Sequence, residues 1–332
     1  MKHDRIVLAH GGGGTLTRDL VEKIIVPAVG GDSSRLPDAA RIPGTEDLVF
    51  TTDSFVVKPL FFSGGDIGSL SVHGTVNDLA VSGAEPLAIS LSLVIEEGLE
   101  IETLQRIVAS AGRAAKESGV SIVTGDTKVV ARGEADEIFI TTAGVGIRRI
   151  DLDDRTVRPG DRVLLSGSIA EHGIAVMSRR EGIQFETQVK SDSAPVWPFV
   201  RALIDGGIDV RVMRDPTRGG LAAALVELSD DFDVTTALVE TDIPLNPEVA
   251  AAAEMLGLDP LTVANEGKLV AYIAETDASR AIEIIRSIPG GAAAAIIGTV
   301  EKRRAVSVYA KTAYGGDRVI DMPYGEDLPR IC

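Results

Sequence analysis

The sequence has one cysteine in 332 residues, Cys332, and it is the last residue. A single thiol excludes an internal disulfide and any CxxC metal site, and a reducing compartment keeps it free. Aromatic residues are also scarce, at 4%, so the core must be aliphatic. Basic residues are outnumbered: 33 Lys and Arg against 49 Asp and Glu give a net charge of −16. That balance repels phosphate backbones and anionic lipid surfaces, and so speaks against nucleic acid and membrane partners. No apolar run approaches the roughly 18 residues of a membrane span, and "MKHDRIVLAHGGGG" has too short an apolar stretch for a signal peptide. The expectation is a cytoplasmic protein. No GxxxxGK[ST] pattern occurs, and four histidines at scattered spacing make no metal motif. His10 and His73 are therefore read as loop and helix residues.

What is present suits a globular chain of about two domains: 45% hydrophobic and 25% charged residues, with 35 glycines that imply many tight turns. Apolar spacing alternates between strand and helix. "RIVLA" (5–9) reads as a strand, and a helix-like segment follows four glycines, with Leu16, Leu20 and Ile24 on one face. Strands are expected at 48–57, 87–96, "VSIVT" and "EIFITTAGVGI", and helices at 67–83 and 101–118. Near residue 150 the charged, proline-containing "RRIDLDDRTVRPGDR" reads as a boundary. A second unit of alternating strands ("RVLLSG", "IDVRVM", "DVTTALVE", "KLVAYIA", "AAIIGTV", "AVSVYA") and helices ("GGLAAALVELSD", "PEVAAAAEML", "ASRAIEIIRSI") follows. The fold class is α/β (α+β), divided into 1–148, 149–320 and a flexible tail, 321–332. The stretch "DMPYGEDLPRIC" shows no periodicity to suggest a packed element, and twelve extended residues reach roughly 40 Å.

Candidate chemistry clusters in small-residue turns. "HGGGG" (Gly11, Gly12, Gly13 and Gly14) can aim backbone N–H groups at an anion before a helix, or be a mobile loop. Asp53 in "FTTDSF", Asp78 in "GTVNDLAVSGA", Asp126 in "VTGDTKVV" and Asp215 in "RDPTRGG" all sit beside residues that leave room for a ligand. Each alone is an ordinary turn or cap former, and Asp215 suits the cap of the helix after "PTRGG". Together they suit Mg²⁺ shared between carboxylates and nucleotide phosphates. Lys128 can neutralise phosphate charge or be a surface lysine. Glu266 in "ANEGKL" can be a base or a solvated turn residue, and spacing does not decide between them.

These segments, "HGGGG", "FTTDSFVVKPLFFSGGDIG", "GTVNDLAVSGAEP", "IVTGDTKVV", "RDPTRGG", "ANEGKLV" and "PRIC", together resemble the HypE family of carbamoyl dehydratases of [NiFe]-hydrogenase maturation. The match runs in order along essentially the whole chain. The internal motifs alone indicate the wider PurM-like superfamily, related to aminoimidazole ribonucleotide synthetase, selenophosphate synthetase and thiamine monophosphate kinase. The terminal cysteine singles out the dehydratases.

The resemblance implies that the carbamoyltransferase HypF loads the thiol of Cys332 with a carbamoyl group. ATP then drives dehydration of that group to a thiocyanate, and the cyanide passes to an iron-carrying HypC–HypD scaffold. It implies that Asp53, Asp78, Asp126 and Asp215 hold Mg²⁺ and ATP, that Gly11 to Gly14 and Thr127 contact the nucleotide, and that Lys128 and Glu266 lie beside the reacting group. It further implies a two-domain PurM-like fold whose amino-terminal strands pair across a homodimer into a β-barrel, with a carboxy-terminal α/β sandwich. Arg330 is expected to offset the terminal carboxylate that disfavours the thiolate. Two other readings are a small-molecule kinase or synthetase of the same superfamily, needing no Cys332, and a non-catalytic carrier, needing no ATP.

Overall fold

A computed structural model of the chain describes residues 14–20, 22, 40–42, 47–153, 155–181, 189–325 and 330–332. The strand expected at 5–9 and three of the four loop glycines, Gly11, Gly12 and Gly13, lie outside them. The first unit contains α1 (Thr15–Leu20), β1 (Ala40–Ile42), β2 (Leu48–Phe55), the short hairpin strands β3 (Phe61–Phe62) and β4 (Gly65–Asp66), α2 (Ile67–Val81), β5 (Ala84–Glu96), α3 (Ile101–Glu117), β6 (Ser121–Val130) and β7 (Ile138–Arg148). Its sheet runs β1-β2-β7-β5-β6, antiparallel except between β5 and β6, which α3 connects in parallel. Among the described residues the sheet does not close, and β6 stands at its edge.

Helix α2 fixes the site. Asp66 caps it, accepting from the amides of Gly68 at 2.8 Å and Ser69 at 3.2 Å, while the Ser69 hydroxyl receives the Asp66 amide. Gly83, at φ +79°, supplies the left-handed turn beyond its end. Nearly every residue of α2 is buried, including His73, Thr75 and Asn77. Polar groups in such a helix must find partners or serve a ligand, because burial strips their water.

The second unit contains β8 (Arg162–Leu165), α4 (Glu171–Arg180), α5 (Trp197–Asp205), β9 (Val210–Arg214), α6 (Gly220–Asp231), β10 (Val234–Val239), α7 (Pro247–Leu256), β11 (Val270–Ile273), α8 (Ala278–Arg286), β12 (Ala295–Lys302), β13 (Val308–Lys311) and β14 (Asp317–Ile320). The sheet order is β14-β13-β10-β12-β8-β11-β9, with only β10 and β13 parallel. The architecture is the expected mixed α/β pair of units. One apolar cluster joins them: Phe55, Val57, Ile67 and Leu70 of the first pack with Ile174 of α4 and Val249 and Ala252 of α7. The charged connector after β7 is pinned by ion pairs, Arg148 to Asp47 and Asp151, and Arg155 to Asp209.

The end of the chain departs from the expectation that nothing there packs. Ile331 is buried in the joining cluster and Cys332 packs against it. The Val56 amide donates to the carbonyl of Cys332 and the Lys58 amide to that of Arg330, each at 3.1 Å, so the last three residues lie antiparallel to residues 56–58. These contacts span more than 270 residues of sequence, which local periodicity cannot register.

Candidate active site at the junction of the two units

Residues 189–196 and 264–268 of the second unit press against one face of α2. Asn77 donates to the carbonyls of Ala194 (3.0 Å) and Glu266 (3.2 Å) and accepts from the Val196 amide (2.8 Å). One turn earlier, His73 Nδ1 meets Ser193 Oγ at 2.9 Å. Burial depresses the His73 pKa to about 4, so the ring is neutral, and its Nε2 is buried without a hydrogen-bond partner.

Asp192 holds the opposite strand of the junction. Its carboxylate accepts from the amides of Glu266 and Gly267 and pairs with Lys268 at 3.1 Å, and Lys268 also reaches Glu171 at 3.3 Å. Burial works to lower the Lys268 pKa, but Asp192 and Glu171 outweigh it and the net shift is upward. Gly267 is required by close approach: a Cβ there would stand 1.9 Å from the carbonyl oxygen of Asp192.

Glu266 is 2% exposed and its Oε1 has no hydrogen-bond partner. Burial, then repulsion from Asp215, Asp53 and Asp192, pushes its pKa well above the carboxylate range against the pull of Arg218. Asp53 is raised for the same first reason, burial, opposed by Arg218 and by the Ser54 amide, which donates to it at 2.7 Å. Glu266 is thus close enough to feel two other sequence-expected residues, Asp53 and Asp215, from the two units. Asp192, outside every quoted motif, and Arg218, inside "RDPTRGG" but not singled out there, join them. A ligand of positive charge, or one bringing its own cation, is what such a set would favour.

The remaining candidates are distributed around this centre. Asp78 lies on α2 and accepts from Thr51 of β2 at 2.9 Å. Gly74, one turn before it, keeps this seam narrow: a Cβ there would lie 2.8 Å from the Phe55 ring and 3.4 Å from Asp53 Oδ2. Asp215 does not cap α6. The cap position is Gly219, and Gly220, at φ +63°, brings its backbone so close to residues 261–263 that a Cβ would meet three backbone atoms within 2.7 Å. Gly14 packs on the carbonyl of Pro323, which also takes the Thr15 amide at 3.1 Å, so that amide is not aimed at an anion.

Asp126 and Lys128 sit elsewhere. Register aligns Asp53 with Thr142, Leu91 and Gly125, and aligns Ser54 with Thr141, Ser92 and Asp126. Because side chains alternate faces, Asp126 and Lys128 lie three strands from Asp53 and on the other side of the sheet, where they form an exposed ion pair at 2.5 Å. Thr127 lies between them on β6. One chain alone does not bring these residues to Glu266. Among the described residues no three His, Cys, Asp or Glu stand close enough to hold a metal ion by themselves, and no helix is long and apolar enough to cross a membrane.

The chain belongs to the class of AIR synthase related proteins. That family's amino-terminal domain matches residues 32–148 and its carboxy-terminal domain residues 158–311. Within the class, a carbamoyl dehydratase HypE of Rhizobium leguminosarum bv. viciae is 50% identical over 334 residues, 99% of this chain and 95% of the relative. A crystal structure of a HypE–HypF complex superposes with a TM-score of 0.86 at 44% identity, covering 92% of this chain and 99% of that one. HypE in complex with ATP superposes at 0.84 and 42% identity, covering 99% and 100%. The chain belongs to the HypE family.

Proposed function

We propose that this protein is an ATP-dependent carbamoyl dehydratase that converts an S-carbamoyl group on Cys332 to a thiocyanate, the source of cyanide for a hydrogenase iron. The observation that carries the reading is the seating of Cys332 against the junction of the two units, in a family whose relatives are named carbamoyl dehydratases. HypF as carbamoyl donor is supported by the complex formed by a relative, ATP by another relative's complex. The HypC–HypD acceptor and a cytoplasmic setting are parts of the same proposal, in keeping with a relative named for hydrogenase expression and formation.

The carboxylates fit a magnesium nucleotide better than a bare metal. Mg²⁺ keeps several waters and takes one or two carboxylates plus phosphate oxygens, so it does not require the tight three-carboxylate cluster that the described residues lack. Asp53, Asp78 and Asp215 would share it from one chain, with Arg218 beside the phosphates. A homodimer joined through the open edge β6 is the arrangement that would carry Asp126, Thr127 and Lys128, with the cation at Lys128, to the site of a second copy.

ATP supplies the phosphoryl group that turns the carboxamide oxygen into a leaving group. The oxygen attacks the γ-phosphorus, ADP departs, and one N–H proton is lost. Loss of phosphate with the second N–H proton then leaves S–C≡N. Glu266 is suited to that proton work: buried and crowded by acids, its carboxylate is a stronger base than an exposed one when ionised. Positioning supplies most of the rest, as in other phosphoryl transfers. In a single-turnover reaction of pre-carbamoylated protein with ATP and Mg²⁺, the infrared C≡N stretch of a thiocyanate should appear, and Glu266→Gln should retain the carbamoyl group while forming thiocyanate at least tenfold more slowly. Wild-type rates in the variant would remove Glu266 from the mechanism.

A further inference from the structure

His172 is fully buried at the start of α4, and the mechanism above does not use it. Its two ring nitrogens are both engaged: Nε2 lies 2.8 Å from the carbonyl oxygen of Ile331, and Nδ1 lies 2.8 Å from Ser191 Oγ. A carbonyl can only accept, so Nε2 carries the hydrogen. Nδ1 then accepts from the Ser191 hydroxyl, which in turn receives the Ser193 amide at 3.1 Å. The tautomer is fixed from both sides. Phe62 stands edge-on to the ring at 5.3 Å and 87°, which holds its plane.

We propose that His172 is the positioning residue of the tail: by donating Nε2–H to the carbonyl of Ile331 it seats the Cys332 thiol for reaction. The donation is to the peptide immediately before the reacting residue, where a shift translates directly to the sulfur. Backbone pairing with residues 56–58 sets the direction of the tail, and Arg330, donating to the Val56 carbonyl at 2.8 Å and to Asp136, anchors its outer end. His172 links the tail to a further segment, because Ser191, its Nδ1 partner, and Ser193 flank Asp192, the carboxylate that holds the Glu266 backbone, and Ser193 touches His73. The receptor for the tail and the support of Glu266 are therefore one short segment, so docking of the thiol and alignment of the carboxyl group are mechanically joined. Burial lowers the pKa of His172 despite the opposing effects of Ile331 and Asp192, which keeps Nδ1 free to accept from Ser191.

This inference rests on the proposed function for its purpose but not for its test. Cys332 is the only thiol, so its alkylation by iodoacetamide, followed by intact mass, reports the seating of the tail without ATP or partner. His172→Phe keeps a planar ring and removes the donor; alkylation should accelerate about three- to tenfold, the worth of one buried hydrogen bond. His172→Gln, which keeps an N–H donor, should stay closer to wild type. In single-turnover dehydration, His172→Phe should slow thiocyanate formation by a similar factor with ATP affinity unchanged. Equal alkylation rates in all three folded proteins would overturn the proposal, as would His172→Gln reacting as fast as His172→Phe, since packing rather than the donor would then be responsible. If alkylation shifts as stated while even wild-type protein forms no thiocyanate, the tail receptor stands and the proposed function falls.

Discussion

Replacing Glu266 by Gln should stabilise the protein increasingly as pH rises. The folded-state pKa of Glu266 is raised well above its unfolded value by burial and by Asp215, Asp53 and Asp192. Between the two values the folded state holds a proton that the unfolded state has released, so stability falls with rising pH. The sign is opposite to that of a salt-bridged carboxylate. The slope is about 1.4 kcal/mol per pH unit across that window, and Gln, close in shape but neutral throughout, does not have it. At about 2–4 °C per kcal/mol for a domain of 150–250 residues, the melting temperature of Glu266→Gln should pull ahead of wild type by a few degrees per pH unit above the ordinary glutamate range. The gap should flatten where Glu266 itself ionises in the folded state. Melting curves in matched buffers at half-unit steps from pH 4.5 to 9, without nucleotide or magnesium, measure it. A difference that is absent, or the same at every pH, would refute the burial argument.

Asp53→Asn removes one of the repelling acids, so the flattening point of that comparison should move to lower pH when measured in the Asp53→Asn background; an unmoved point would mean that the two carboxyl groups do not sense each other. Asn77→Ala removes three hydrogen bonds between α2 and the second unit and should cost about 2–4 kcal/mol in denaturant unfolding. Gly267→Ala puts a methyl group into the Asp192 carbonyl and should lower both stability and dehydration rate, whereas Gly257→Ala, with open space around it at φ +70°, should leave the dehydration rate near wild type. Lys128→Ala breaks an exposed ion pair and should change stability by less than about 0.5 kcal/mol; a large loss of dehydration rate with that small stability change is the outcome expected if Lys128 works in a second copy's site.

The alternation of strands and helices, and the helix carrying Asn77 and Asp78, were legible because apolar periodicity is local. Helices α4 and α5 were not: each is short and carries Gly173 or Pro198 near its start, residues that usually punctuate. The strand "VSIVT" extends to Val130 as β6 because pairing with β5 continues through the polar "GDTK", which no hydrophobic pattern marks. Small residues beside an aspartate gave Asp53 and Asp215, since they leave room at a site, although Asp53 stands on strand β2 and not in a turn. Asp192, although flanked by Ser191 and Ser193, is not singled out by spacing along the chain, because its importance comes from the Glu266 and Gly267 amides some 75 residues away. His172 was invisible for the same reason, its partners being Ser191 and Ile331. That Asp53 and Asp126 face opposite sides of one sheet follows from register across four strands, which spacing along the chain does not contain.

The most direct measurement is intact-protein mass spectrometry, with fragmentation of the terminal peptide, after incubation with a HypF-type carbamoyltransferase, carbamoyl phosphate, Mg²⁺ and ATP. The account predicts a carbamoyl group on Cys332, followed by loss of one water that requires the nucleotide. Consumption of ATP by this protein with Cys332 left unmodified would contradict it.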